Sequence, residues 1–96
     1  MTKYEIMFIV KATMEKEEVS KTAEAMKKII TDGKGKVLEF KELGEKKFAY
    51  PIKKEKNGYY FLMQVEATSE TEAEFNRKAL LDENVLRHLI IKLDEE

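Results

Sequence analysis

The spacing of apolar residues along the chain changes from strand-like to helix-like and back. Residues 4–10 alternate with period two and carry apolar side chains on both faces, which is typical of a central strand. Over residues 15–32 the apolar residues instead follow steps of four, three and four, which predicts an amphipathic helix. These helical positions are Val19, Ala23, Met26 and Ile30. The segment "DGKG" ends the helix, and Gly33 or Gly35 is expected to take the left-handed conformation there.

A hairpin follows in the middle of the chain. "KVLEFKEL" and "KKFAYPI" read as one strand, in which Gly44 predicts a bulge. Pro51 cannot donate a ladder hydrogen bond, so this strand is expected at the edge of a sheet. The dipeptide Asn57-Gly58 favours a hairpin turn, after which "YYFLMQVEA" returns as the next strand.

A second helix and a last strand complete the pattern. Ser69 and Glu72 have the spacing of a capping box and open a helix that runs to about Leu81. Its apolar residues are Ala73, Phe75, Ala79 and Leu80. "NVLRHLIIKL" predicts the last strand, and the final "DEE" is expected to be solvated charge.

The resulting order, β-α-β-β-α-β, predicts an α+β fold of the split β-α-β type. Right-handed connections give a four-stranded antiparallel sheet with both helices on one face and strands one and three at its centre. Residues 1–96 suffice for a single domain of this kind.

One face of that sheet is expected to lack helices. The residues that should pack under the helices are Ile6, Phe8, Phe61, Met63 and Val65. The residues that should lie on the opposite face are Met7, Ile9, Tyr60 and Leu62. Because leaving an apolar cluster in water is unfavourable, these four residues predict a site for a protein partner.

Positive charge is concentrated in the hairpin although the formal net charge of the chain is −1. Residues 27–56 hold ten lysines against five acidic residues, whereas residues 66–96 hold four basic residues against nine acidic ones. The hairpin lysines are predicted to contact the phosphates of RNA, and Tyr50 could stack on a base or ribose. They are Lys46, Lys47, Lys53, Lys54 and Lys56. The alternative is that these lysines only protect an exposed edge strand from aggregation.

The residue types expected of an active site or metal site are scarce. The chain has no cysteine, and its one histidine, His88, lies among aliphatic residues of a predicted strand. We therefore expect no enzymatic activity, catalytic residue, metal, cofactor or small-molecule substrate. No segment resembles a signal peptide or has membrane-spanning length, so a cytoplasmic protein without a membrane partner is expected.

The segment "GEKKFAYPIK" resembles the signature of the bacterial small-subunit ribosomal protein six family, which usually has leucine where Phe48 stands. Three further segments agree with that family and extend the resemblance over essentially the whole chain: "YEIMFIV", "NGYYFLMQVEA" and "DENVLRHLIIK". The resemblance implies a ferredoxin-like fold and a structural role in the ribosome. It further implies binding to the central domain of 16S ribosomal RNA as a heterodimer with small-subunit protein eighteen.

The resemblance also bears on the candidate RNA-binding residues. Those that match signature positions are Lys46, Lys47, Tyr50 and Lys53, while Lys54 and Lys56 extend the set on electrostatic grounds. Lys3, Arg87 and Lys92 are further candidates on strands one and four. The alternative function is that of a small ligand-binding or regulatory domain of the same fold that dimerises through its sheet. An acylphosphatase-like hydrolase ranks last, because "VKATMEK" offers neither arginine nor glycine for an oxyanion-binding loop.

Overall fold

A computed structural model of the chain describes residues 2–13, 15–52 and 54–93. Its elements are β1 (Thr2–Lys11), α1 (Lys16–Asp32), β2 (Lys36–Ile52), β3 (Glu55–Ala67), α2 (Ser69–Leu81) and β4 (Val85–Leu93). The strands form one antiparallel sheet in the order β2-β3-β1-β4. The predicted fold is confirmed, including the central position of strands one and three and the edge position of Pro51. Predictions that involve Lys53 and the terminal "DEE" lie outside the described residues.

The core lies between the two helices and one face of the sheet. All five residues predicted to pack under the helices are buried, and Phe8 contacts two other aromatic rings of the core. Its ring stacks on Phe61 at a centroid distance of 5.2 Å and meets the edge of Phe75 at 6.5 Å. The predicted apolar stripe of α1 is buried in the same core.

Helix α2 buries only part of its apolar residues. Its buried residues are Thr71, Phe75 and Ala79, spaced four apart. Two of the four apolar residues noted in the sequence lie outside this stripe, since Ala73 is exposed and Leu80 is 67% exposed. The physical reason is the helical period, since a residue five positions after Phe75 points away from a face defined by steps of four.

The ends of the helices differ from the prediction by one residue each. Thr68, and not Ser69, caps α2, and its Oγ1 accepts a hydrogen bond from the Thr71 backbone N–H at 3.2 Å. After α1 the left-handed residue is Lys34, with φ 67°, and not Gly33 or Gly35. Gly33 serves a different purpose, because a Cβ at this position would collide with the Thr71 side chain.

The central hairpin contains the expected bulge but turns at a different place. The β2–β3 register shifts between Glu42 and Gly44, and Gly44 has φ 91°, which confirms the bulge. The predicted Asn57-Gly58 turn is wrong, since both residues lie inside β3. Instead, Ile52 pairs with Glu55 and the turn between them includes Lys54, with φ 68°.

Neither α1 nor α2, the two helices of the described residues, has the length and apolar character needed to cross a membrane.

Candidate nucleic-acid and partner-binding site

The far end of the β2–β3 hairpin extends beyond the four-stranded part of the sheet. Of the β3 residues that pair with β1, Gly58 is the nearest to the hairpin turn, and it pairs with Lys11. We use the name basic hairpin for this end of the two strands, which consists of residues 45–52 and 54–57. Its described lysines are all exposed, and Tyr50 is 83% exposed. These lysines are Lys46, Lys47, Lys54 and Lys56.

The tip of the basic hairpin is irregular because its two strands differ in length. Lys47 pairs with Asn57 and Ile52 pairs with Glu55, so the four residues 48–51 on β2 face one residue, Lys56, on β3. An excess of this kind interrupts the ladder and increases local bending. The Tyr50 ring lies in this segment and is exposed to solvent, as stacking on a base or ribose would require. At the base of the hairpin, Asn57 Nδ2 donates to Glu45 Oε2 at 3.0 Å and ties the two strands together.

Two of the predicted lysines lie on opposite faces of the hairpin. Lys46 pairs with Gly58 and so lies on the helix-free face, whereas Lys47 pairs with Asn57 on the other face. The Lys46 ammonium lies 5.5 Å from the centroid of the Tyr60 ring. One predicted RNA-binding residue therefore contacts one predicted partner-binding residue.

The three predicted cations outside the hairpin do not form one group with it. Arg87 pairs with Ile9 and lines a cavity of about 260 Å³ together with Ile52 of the hairpin. Lys3 and Lys92 instead lie near the other end of β1, where Lys92 pairs with Tyr4. Lys11, at the hairpin end of β1, is eight positions after Lys3, which corresponds to about 27 Å along an extended strand. The structure thus joins Arg87 to the basic hairpin and separates Lys3 and Lys92 from it.

The helix-free face has the predicted apolar residues in adjacent pairs. Met7 pairs with Leu62 and Ile9 pairs with Tyr60 across the two central strands. Three of the four are partly exposed, but Ile9 is only 4% exposed. Ile9 therefore has little surface to offer a partner.

The prediction omitted the apolar residues of β4 on the same face. Leu89 pairs with Met7 and Ile91 pairs with Glu5, and these two side chains are 52% and 48% exposed. Alternation in "RHLIIKL" is the sequence signal that could have identified them. We call Met7, Tyr60, Leu62, Leu89 and Ile91 the apolar face.

His88 has structural contacts. Its Nε2 lies 2.6 Å from Asn76 Oδ1 on α2, and its ring meets the edge of Phe75 at a centroid distance of 6.3 Å. In the part of the chain that the structure describes, no cluster of three or more histidine, aspartate or glutamate side chains could hold a metal ion.

These features define a class of protein: a small ferredoxin-like domain that presents an apolar sheet face and a cationic hairpin side by side. Such a surface suits the binding of macromolecules, with apolar area for a protein and ammonium groups for phosphates.

Comparisons with known proteins all give the same family. The family model described as Ribosomal protein S6 matches residues 3–92. The chain is 38% identical over 96 residues, which is 100% of both chains, to small ribosomal subunit protein bS6 of Shouchella clausii (strain KSM-K16). The crystal structure of 30S ribosomal protein S6 from Thermotoga maritima superimposes with a TM-score of 0.90 at 29% identity, covering 96% of this chain and 87% of that one.

The chain belongs to the ribosomal protein S6 family. It is therefore a structural component of the small subunit of the cytoplasmic ribosome, with ribosomal RNA as a partner, and it is not an enzyme. The family and fold suggested by the signature segment are confirmed.

Proposed function

We propose that this chain binds the central domain of 16S ribosomal RNA as a heterodimer with small-subunit protein eighteen. The observation that carries the proposal is the adjacency of two unlike surfaces, joined where the Lys46 ammonium lies over the Tyr60 ring. The basic hairpin is the proposed RNA-binding surface, and the apolar face is the proposed protein-binding surface.

Electrostatics supports a division of labour between the two partners. The described hairpin offers four lysines, and each phosphate contact contributes a salt-dependent increment of affinity without sequence information. The chain as a whole has a pI near 6.0, well below the value of about 9 usual for an autonomous nucleic-acid-binding domain. A second, basic protein would supply the remaining cations, so the heterodimer is the RNA-binding unit.

The apolar face supports a protein contact. Leu89 and Ile91 are each about half exposed, and Leu89 lies directly beside the apolar Met7 of β1. Removing such side chains from water contributes roughly 25 cal/mol per Å² of apolar surface. This gain is available to a partner that covers the sheet.

The proposal is tested by native mass spectrometry and RNA-binding titrations with and without protein eighteen. The chain alone is expected to be monomeric and to bind a central-domain RNA fragment weakly. The mixture is expected to form a one-to-one complex that binds the same fragment much more tightly.

A matched pair of variants locates the protein contact. Leu89→Glu puts a charge on the apolar face, whereas Leu80→Glu puts the same charge on α2, where Leu80 is 67% exposed. Only Leu89→Glu is expected to abolish the complex. A tight homodimer that ignores both protein eighteen and the RNA would overturn the proposal.

A further inference from the structure

We infer that Phe48 is a positioning residue that holds the basic hairpin against the sheet, so that its lysines are presented to RNA in one arrangement. This inference rests on the proposed function. It concerns a side chain that carries no charge and that lies beside Tyr60 and Gly58, on the face opposite the helices.

The basic hairpin cannot be held by its backbone ladder alone. Beyond Gly58 it no longer pairs with β1, and a two-stranded hairpin by itself is marginally stable in water. The unequal pairing of residues 48–51 with Lys56 removes ladder hydrogen bonds from its tip. Side-chain packing must therefore hold the tip of the hairpin in place.

Phe48 provides this packing through a notch that glycine creates. A Cβ at Gly58 would lie 2.7 Å from Phe48 Cζ and would also collide with Ile9 Cγ2. The Phe48 ring thus occupies the space above Gly58 that any other residue would fill. This contact also explains why Ile9 is only 4% exposed on a face without helices.

The Phe48 ring is also linked to a lysine of the hairpin through Tyr60. The Phe48 and Tyr60 rings lie 6.1 Å apart between centroids, and Tyr60 in turn lies beneath the Lys46 ammonium. Directly after the irregular segment 48–51, Ile52 lines the 260 Å³ cavity together with Arg87 of β4. The hairpin therefore leans across β1 towards β4 and brings Ile52 to the side of the sheet where Arg87 lies.

The test compares Phe48→Ala and Gly58→Ala with the wild type. The first variant removes the ring and the second expels it from its notch. In both, the backbone order parameters of Lys54 and Lys56 are expected to fall from about 0.85 to below about 0.6. The affinity of the heterodimer for the RNA fragment is expected to fall about tenfold, because the hairpin must then be ordered on binding.

Two controls separate positioning from general stability. Phe48→Leu restores an apolar side chain and is expected to bind RNA within about twofold of the wild type. Val37→Ala weakens packing at the other end of β2, where Val37 contacts the core, and is expected to leave RNA affinity unchanged.

Unchanged order parameters in Phe48→Ala would overturn the inference, and so would a mobile hairpin with full RNA affinity. An equal loss of affinity in Val37→Ala would assign the effect to stability and would also overturn it. A wild-type heterodimer that fails to bind the RNA would instead refute the proposed function, while the order parameters would still decide whether Phe48 fixes the hairpin.

Discussion

Replacing three exposed lysines of the basic hairpin is expected to change the salt dependence of RNA binding more than it changes the stability of the fold. We consider the triple variant Lys47→Gln, Lys54→Gln, Lys56→Gln. All three side chains are exposed, and no ion pair joins them to another residue within the described ranges. Exposed substitutions of this kind usually change the free energy of unfolding by less than about 0.5 kcal/mol.

The magnitude follows from counterion release. Each phosphate that a lysine neutralises contributes about 0.7–0.9 to the slope of log affinity against log salt concentration. Losing three contacts therefore lowers the magnitude of the slope by about 2–3 units. Between about 50 and 200 mM salt, the advantage of the wild type over the variant should shrink by about 20–40-fold.

The assay is a fluorescence anisotropy titration of the RNA fragment with the heterodimer at several salt concentrations. A matched control carries Lys21→Gln, Lys28→Gln and Lys34→Gln, which change the net charge equally at exposed positions away from the hairpin. An unchanged slope in the hairpin variant would refute the reasoning. Equal slopes in the two triple variants would show that net charge, and not the hairpin, sets the affinity.

Two further predictions concern the domain itself. Phe8→Ala removes a fully buried ring that stacks on Phe61, and urea denaturation should show a loss of about 3–5 kcal/mol in the free energy of unfolding; a loss below about 1 kcal/mol would contradict the described core. A hydrogen bond from Arg77 to the Glu74 carboxylate holds the pKa of Glu74 below its ordinary value of 4.5, so its contribution to stability is present above that value and is lost as the pH falls through the lowered pKa. In Arg77→Gln, an NMR titration should show the Glu74 pKa moving upward, and an unchanged pKa would refute the assignment.

Local sequence signals determined most of the fold. Pro51 required an edge strand because it lacks an N–H, and Gly44 required a bulge, and both requirements are met. Period-two spacing identified Ile6 and Phe8 of β1 as buried, and helical spacing identified the buried stripe of α1. These signals depend only on residues close to the position they describe, and they can therefore be interpreted from the sequence alone.

The errors arose where a distant contact decides the local structure. Asn57-Gly58 favours a turn by its intrinsic preference, but Gly58 is needed as a glycine because the Phe48 ring lies above it. Gly33 was likewise interpreted as a conformational signal, although the Thr71 side chain from α2 explains its lack of a Cβ. For the same reason, the sequence could not predict that the hairpin covers Ile9.

The candidate site was predicted in composition but not in arrangement. The sequence located the hairpin lysines and the apolar residues of the central strands. It could not group Arg87 with the hairpin or separate Lys3 from it, because these relations depend on the strand register and on the lean of the hairpin. Leu89 and Ile91 were omitted because the pattern of β4 was used only to assign a strand.

The most direct test of the two-surface account is methyl and amide NMR of the labelled chain during stepwise addition of protein eighteen and then RNA. We expect protein eighteen to shift the methyl signals of Met7, Leu62, Leu89 and Ile91, and RNA then to shift the amide signals of the basic hairpin. Shifts confined to Leu80 and Leu81 on α2, or RNA binding that leaves every hairpin signal in place, would contradict the account.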